Sequence, residues 1–258
     1  MHSSTMNILL EKKERTASIT LDRPPLNVLN LSMLRELQTA LDSVGGDEAL
    51  DFLIIRGGGE RAFSAGVDIK DHTRDKVPEM LRVAHGVIRG LFSLPQITIA
   101  LVRGACLGGG CELASACDFI LASEDSFFAT PEIRVGCYPP VALARFPSQI
   151  GYHRAAEMIL TGRRISAQDA AAMGLINRAA PAKELGEMLD SLLAELKGKS
   201  RAVLRIALRG LREISLKNFS ADLKRSEDLY LRELLQTDDM EEGVRAFLAK
   251  RNPLWNHR

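Results

Sequence analysis

Glu112 and Glu132 stand twenty positions apart, each directly behind a backbone device that can hold a reacting acyl group. Glu112 follows Leu107-Gly108-Gly109-Gly110-Cys111, a glycine run that opens into a helical pattern. Glu132 follows Pro131 in the stretch Phe128-Ala129-Thr130-Pro131-Glu132. The first N–H groups of a helix have no intrahelical acceptor, so they stabilise negative charge that develops on a nearby oxygen. Two carboxylates beside such donors can share a water and pass protons in both directions. The expected chemistry is proton transfer next to a carbonyl. Other nucleophiles are poorly supported: Ser64 has no histidine partner in the pattern, and an unassisted serine hydroxyl is a weak nucleophile. For Cys111, beside a helix start, two readings stand: a stabilised thiolate, or a packed and unreactive thiol.

Composition excludes several classes. The 258 residues carry 34 basic and 33 acidic side chains, a formal net charge of +1, so no global attraction to nucleic acid or membrane follows. Cys106, Cys111, Cys117 and Cys137 form no C-x-x-C pair, and His2, His72, His85, His153 and His257 fall in no ligand spacing. No metal is expected. The glycine triplet lacks the rest of a dinucleotide fingerprint, so no redox cofactor is expected either. Disulfides are not expected in so large a chain without a cysteine framework, which favours a reducing compartment. No apolar signal region follows Met1–Thr5 and no stretch is long enough to span a bilayer, giving the expectation of a cytoplasmic protein.

The elements that must position the carboxylates can be read from periodicity. Ile8–Leu10 and Ala17–Leu21 predict a hairpin around the charged run Glu11–Arg15. Leu31, Leu34, Leu37 and Leu41 recur at helical spacing up to Gly45-Gly46. A buried strand is predicted at Phe52–Ile55, a helix at Pro78–Phe92, and a strand at Ile97–Val102. A short helix through Ala116 and a strand at Phe119–Ala122 follow the glycine run. Strands alternating with helices imply an α/β architecture. From Arg154 onward the pattern is mainly helical, with one last strand predicted at Leu175–Arg178. The shift near Lys197-Gly198-Lys199-Ser200 marks the predicted boundary between residues 1–196 and 197–258.

These landmarks resemble the crotonase (enoyl-CoA hydratase/isomerase) superfamily over nearly the whole chain. The resemblance is carried by Ala62–Lys70 (AFSAGVDIK), Gly104–Ala114 (GACLGGGCELA), Cys117-Asp118, Pro131-Glu132-Ile133, Leu160–Ala167 (LTGRRISA), Gly174-Leu175-Ile176 and Gly243–Leu248 (GVRAFL). It implies a spiral of strand-strand-helix repeats, with a C-terminal helical region that builds homotrimers or homohexamers. It implies a coenzyme A thioester as substrate, with no separate cofactor. In this family two backbone N–H groups hold the thioester oxygen; the matching positions are Ala65 and Gly109. Relatives of the hydratase type carry both glutamates, which implies Glu132 as proton donor and Glu112 as the base that holds water. Asn27, Gly66, Val67 and Asp68 match the coenzyme A contact region, although Asn27 equally suits a simple turn and Asp68 a helix cap.

One stretch departs from the family pattern. Where many members have a Pro-Gly-x-Gly-Gly run, this chain reads Gly136-Cys137-Tyr138-Pro139-Pro140-Val141-Ala142-Leu143-Ala144. Proline and valine in place of glycine stiffen the wall near the acyl group. Together with Leu21–Asn30 (LDRPPLNVLN), this resembles the branch of cyclohexa-1,5-dienecarbonyl-CoA hydratases of anaerobic aromatic degradation. That implies water addition to a cyclic dienoyl thioester, giving 6-hydroxycyclohex-1-ene-1-carbonyl-CoA, with Tyr138, Pro140 and Val141 forming a flat slot. A straight-chain enoyl-CoA and double-bond isomerisation are the enzymatic alternatives. Lys197–Arg212 holds six basic residues and no acidic one; it suits a solvated or intersubunit face, an attraction for coenzyme A phosphates, or RNA binding, the last disfavoured by the lack of interleaved aromatics.

Overall fold

The computed structural model describes residues 6–258. The chain enters through an antiparallel hairpin, β1 (Ile8–Lys13) and β2 (Thr16–Leu21), with Glu14 at φ 52° in its turn. The charged residues Glu11–Lys13 therefore extend the strand rather than forming the loop. Helix α1 (Leu31–Gly45) starts at Asn30, whose side chain accepts from the Met33 N–H at 3.0 Å, and it buries Met33, Leu34, Leu37, Leu41 and Val44. An Asn cap satisfies one of the donors that a helix start otherwise leaves unpaired.

Next comes a repeating unit of long strand, short strand and helix. The first is β3 (Phe52–Gly57), β4 (Ala62–Ser64) and α2 (Val77–Ser93). The second is β5 (Ile97–Val102), β6 (Ala105–Leu107) and α3 (Gly109–Ser115). The third is β7 (Phe119–Ser123), β8 (Phe127–Ala129) and α4 (Pro140–Ile150). The chain continues with α5 (Tyr152–Thr161), β9 (Ile165–Ser166), α6 (Ala167–Ala172) and β10 (Arg178–Ala180). The long strands form one sheet in the order β1-β2-β3-β5-β7-β10, and the short ones a second sheet, β4-β6-β8-β9. This α/β spiral is the predicted architecture.

The short strands position the site. β4, β6 and β8 are parallel neighbours, with Ala62 opposite Ala105 and Leu107 opposite Ala129. Parallel strands point their carboxyl ends the same way, so the segments that follow them emerge side by side. Those segments are Ala65–Asp68, Gly108–Glu112 and Thr130–Glu132.

The rest is helical: α7 (Leu185–Lys197), α8 (Arg201–Ser215), α9 (Phe219–Arg232) and α10 (Asp238–Leu248). The predicted boundary falls between α7 and α8, yet the two sides share apolar cores. Leu185, Leu193 and Leu208 pack with Phe52, Ile54, Ile97 and Ile99, and Tyr230, Met240 and Val244 pack with Val77, Met80 and Leu81. No helix is long and apolar enough to cross a membrane among the described residues.

Three expectations need correction. The final strand is β10, three residues later than predicted, because Leu175 and Ile176 are buried core residues whose N–H groups both donate to the Ala170 carbonyl. The stretch from Pro140 is the start of α4 rather than an irregular wall; proline suits a first helical turn, where its missing N–H costs nothing. The basic run is not an open cationic face. Arg201 and Arg205, with Arg15, surround the buried carboxylate of Asp51, and Arg212 donates to Asp118 at 3.0 Å.

Asp118 also accepts from the Thr98 N–H and hydroxyl, each at 2.8 Å, so it ties α8 to the sheet. Its loss would strand the Arg212 guanidinium and both Thr98 donors. Asp118→Ala is expected to destabilise the protein by about 3 kcal/mol in urea unfolding, against under about 0.5 kcal/mol for the exposed Glu213→Ala.

Candidate active site

Where the three strand ends meet, the chain encloses a cavity of about 400 Å³. Its walls include Ala65, Gly66 and Val67 after β4, Gly108, Gly109 and Glu112 after β6, and Pro131 and Glu132 after β8. Apolar side chains of Ile69, Met80, Leu81 and Val135 complete much of it, and Tyr138, Pro139 and Pro140 form one side. Both predicted catalytic carboxylates thus open onto one space.

Close backbone approach makes the cavity possible. Gly108 has φ 52° and ψ −130°, outside the regions open to other residues, and a Cβ there would lie 2.6 Å from Glu132 Oε1. A Cβ on Gly110 would lie 2.7 Å from the Ser64 carbonyl oxygen, and one on Gly109 2.7 Å from Val67 Cγ2 and 3.4 Å from the Val67 nitrogen. The Gly108 N–H donates to the Ala129 carbonyl at 2.8 Å, stitching the glycine run to the strand that delivers Glu132.

The hydrogen bonds of the first segment overturn one sequence assignment. The Ala65 N–H is not free: it donates to the Leu26 carbonyl at 2.9 Å. The Gly66 N–H donates to Ser64 Oγ at 3.1 Å and the Asp68 N–H to the Leu29 carbonyl at 2.9 Å. Among the described residues Val67 N–H has no acceptor, nor has Gly109 N–H at the first position of α3. The pair of available donors is therefore Val67 and Gly109, separated by a notch that a Cβ at residue 109 would fill. Nothing in the sequence distinguishes Val67 from Ala65; the difference lies in which amides the neighbouring loop consumes.

The two glutamates sit in unequal surroundings. Glu112 is buried, and its Oε1 accepts from the Ala142 N–H at 2.9 Å. Burial raises its pKa; the Ala142 bond, a positive charge on His85 and the Val141 amide work against that rise. Glu132 Oε2 is buried without a hydrogen-bond partner in the structure. Its pKa is pushed up to about 8, first by burial and then by the negative charge of Glu112. Buried carboxylates close together cannot both ionise cheaply. Glu132 thus keeps its proton at neutral pH, and Glu112 is the better placed to lose one.

The remaining predicted contacts divide. Gly66, Val67, Tyr138 and Pro140 line the cavity. Tyr138 is fixed there, because its hydroxyl donates to the Ser226 carbonyl at 2.8 Å and its ring meets Tyr230 edge-on at 5.0 Å. Val141 does not join the slot: it points into the core with Phe146, since the helix that Pro140 opens turns it away from the cavity. Asn27 is fully buried, and its side chain donates to the Gly58 carbonyl at 3.0 Å and the Ala62 carbonyl at 2.8 Å. It holds the turn into β4 instead of facing the cavity. Asp68 takes the capping role, accepting from the Lys70 N–H at 3.2 Å and pairing with Arg23 at 3.4 Å. Cys111 is buried in the core, the packed-thiol alternative.

Three cavity residues escaped the sequence reading. His85 on α2 is buried, with Nδ1 2.7 Å from Glu227 Oε1 on α9; Tyr230 comes from α9, and Phe247 from α10. His85 was findable, because it shares the stripe of Val77, Leu81 and Ile88 on α2. Tyr230 and Phe247 become neighbours only when the C-terminal helices fold back over the spiral. Among the described residues no group of three or more His, Cys, Asp or Glu side chains is gathered to hold a metal ion.

The sequence profile of the enoyl-CoA hydratase/isomerase family matches residues 11–258, and the chain belongs to that family. A cyclohexa-1,5-dienecarbonyl-CoA hydratase of Thauera aromatica is 32% identical over 99% of this chain and 98% of its own length. A probable enoyl-CoA hydratase of Rhizobium meliloti is 37% identical over 97% and 98%. The crystal structure of an enoyl-CoA hydratase from Mycobacterium avium subsp. paratuberculosis superposes with a TM-score of 0.86 at 27% identity, covering 97% of this chain and 98% of that one.

The raised Glu132 pKa has a consequence for stability. Between the ordinary value of 4.5 and about 8 the folded chain keeps a proton that the unfolded chain releases. Stability from this group is therefore complete below pH 4.5 and declines as pH rises toward 8. Glu132→Gln, which never ionises, is expected to gain stability over the wild type at pH 8 relative to their difference at pH 4.5, as read from paired urea-unfolding curves.

Proposed function

We propose that the chain adds water across the double bond of an enoyl-CoA thioester. The observation that carries this reading is one cavity holding a buried protonated carboxyl, Glu132, a second carboxylate, Glu112, and two unpaired N–H groups on Val67 and Gly109. The thioester oxygen rests between the two amides. Glu112 takes a proton from water as the hydroxyl oxygen bonds to the β-carbon. The double-bond electrons move onto the thioester oxygen, and the amides stabilise that enolate, each contributing about 3 kcal/mol in the transition state. Glu132 then gives its proton to carbon as the carbonyl re-forms. The cycle ends with the proton on Glu112 and the charge on Glu132, so exchange with solvent restores the start.

For the acyl group we favour a cyclic, conjugated dienoyl thioester of the cyclohexa-1,5-diene-1-carbonyl type. Similarity to the Thauera aromatica enzyme supports this over the full chain, as does the stiff side formed by Tyr138, Pro139 and Pro140. A ring cannot fold around side chains, so a flat rigid wall suits it. Conjugation also spreads charge onto carbons beyond the usual α-position, and the same amide clamp serves that electron sink. Coenzyme A belongs to the substrate, and no further cofactor enters the proposed step. Double-bond isomerisation is the second enzymatic reading, since it needs the proton donor without water. RNA binding is disfavoured because Arg201, Arg205 and Arg212 are engaged with Asp51 and Asp118.

Glu132→Gln is expected to lower kcat by about 10³-fold with KM changed less than about threefold. Turnover in heavy-oxygen water separates the readings, because only hydration places the label in the product. A screen of cyclic dienoyl-CoA against crotonyl-CoA tests the acyl assignment; preference for crotonyl-CoA would refute it.

We also propose that the chain assembles as a homotrimer or a pair of trimers through its C-terminal helices. α8 leaves Val203, Ile206, Leu211 and Ile214 largely exposed, with Ile214 at 80%. Contiguous apolar surface of this kind favours burial against another copy. Sedimentation should give a trimer or hexamer, and Ile206→Glu with Ile214→Glu should yield monomers that retain their helical content.

A further inference from the structure

The cavity carries one buried polar group that the hydration step above does not use. His85, on the inward stripe of α2, lines the same cavity as Glu112 and is only 2% exposed. Its Nδ1 lies 2.7 Å from Glu227 Oε1, and that same oxygen accepts from Arg89 Nη2 at 2.8 Å. A carboxylate held by a cation one helical turn away fixes the imidazole's orientation and tautomer, with Nδ1 as donor. Nε2 has no hydrogen-bond partner among the described residues. Histidine placed this way is not idle packing: an apolar side chain would fill the position without the buried ion-pair network.

We propose that His85, clamped by Glu227 and Arg89, is a positioning residue that selects Glu112 as the base and leaves Glu132 as the acid. This rests on the hydratase reading above and deepens it. Two buried glutamates in one cavity form a nearly symmetric pair, and some feature must decide which of them ionises. The groups facing His85 are Glu227 and Tyr230 from α9, Arg89 from α2 itself, and Glu112 from α3. Across the cavity stand Glu132 and Tyr138. On the α1 side the neighbours of α2 are Gln38, which is neutral, and Arg35, already paired with Glu79. A proton on Nε2 therefore creates a cation flanked by Glu227 and Glu112, with Arg89 on the far side of Glu227. Its charge favours the carboxylate form of Glu112. Glu132 has no cation in contact, and its free oxygen is buried. The asymmetry of the pair thus originates on α2 and α9, outside the segments that carry the two glutamates.

The test uses His85→Gln, which keeps an N–H donor for Glu227 but cannot carry the charge. The acid limb of the kcat/KM profile is expected to move upward by roughly one pH unit, the scale of one nearby charge, while the basic limb stays in place. A uniform loss across all pH values would mark a structural role and overturn the proposal. Infrared titration of the full-length protein gives a readout independent of turnover. The carboxyl signal that disappears in Glu112→Gln should titrate at higher pH in His85→Gln, by the same roughly one unit; an unmoved signal overturns the proposal. If that signal shifts but the wild type hydrates no enoyl-CoA, the coupling stands and the hydratase reading falls.

Discussion

Three strand ends can share one cavity only because the backbone there approaches closer than a side chain allows. At Gly108, Gly109 and Gly110 an added Cβ would meet Glu132, Val67 and Ser64 within 2.7 Å. Contacts that short do not occur between real Cβ atoms and their neighbours, so a residue with a side chain would push the segments apart. The absence of Cβ atoms does two things at once. It lets the amides of Val67 and Gly109 face a common point, and it brings Glu132 against the run that leads to Glu112. The parallel register of β4, β6 and β8 supplies the remaining alignment. Site geometry and strand register are thus a single constraint.

Electrostatics follow from that geometry. Burial alone raises both carboxyl groups, and their proximity makes a second ionisation costly. A surface pair of glutamates would titrate near the ordinary value and offer no acid at neutral pH. Here the enclosure keeps a proton on Glu132, and the Ala142 amide and His85 favour charge on Glu112. Hydration needs both states together, a base to take a proton from water and an acid to deliver one to carbon. The cost is a group that destabilises the fold as pH rises.

The C-terminal helices have two tasks. Arg201, Arg205 and Arg212 fasten α8 to buried acidic side chains of the spiral, so the basic run that invites a nucleic-acid reading is mostly consumed inside the molecule. α9 brings Glu227 and Tyr230 to the cavity, and α10 brings Phe247 to its rim. The tail is held by Glu242, whose carboxylate accepts from the Leu254 N–H at 2.9 Å and from Arg251 at 2.9 Å. Residues far beyond the family's catalytic motifs therefore complete the wall around the acyl group.

Sequence alone determined the long elements, the α/β class and the pair of glutamates. Helical and strand periodicity is a local property of consecutive residues, and the motif segments are contiguous. Two- and three-residue strands such as β4, β6, β8 and β9 have no period to detect, so the second sheet was invisible until its neighbours were in place. Tertiary structure decided which amides are free, replacing Ala65 with Val67, and which predicted contacts turn away, as Asn27 and Val141 do. It also decided that His85 meets Glu227 across 142 positions of chain. Hydrogen-bond satisfaction and burial depend on what packs against a residue, and that neighbour is set by the whole fold rather than by the adjacent sequence.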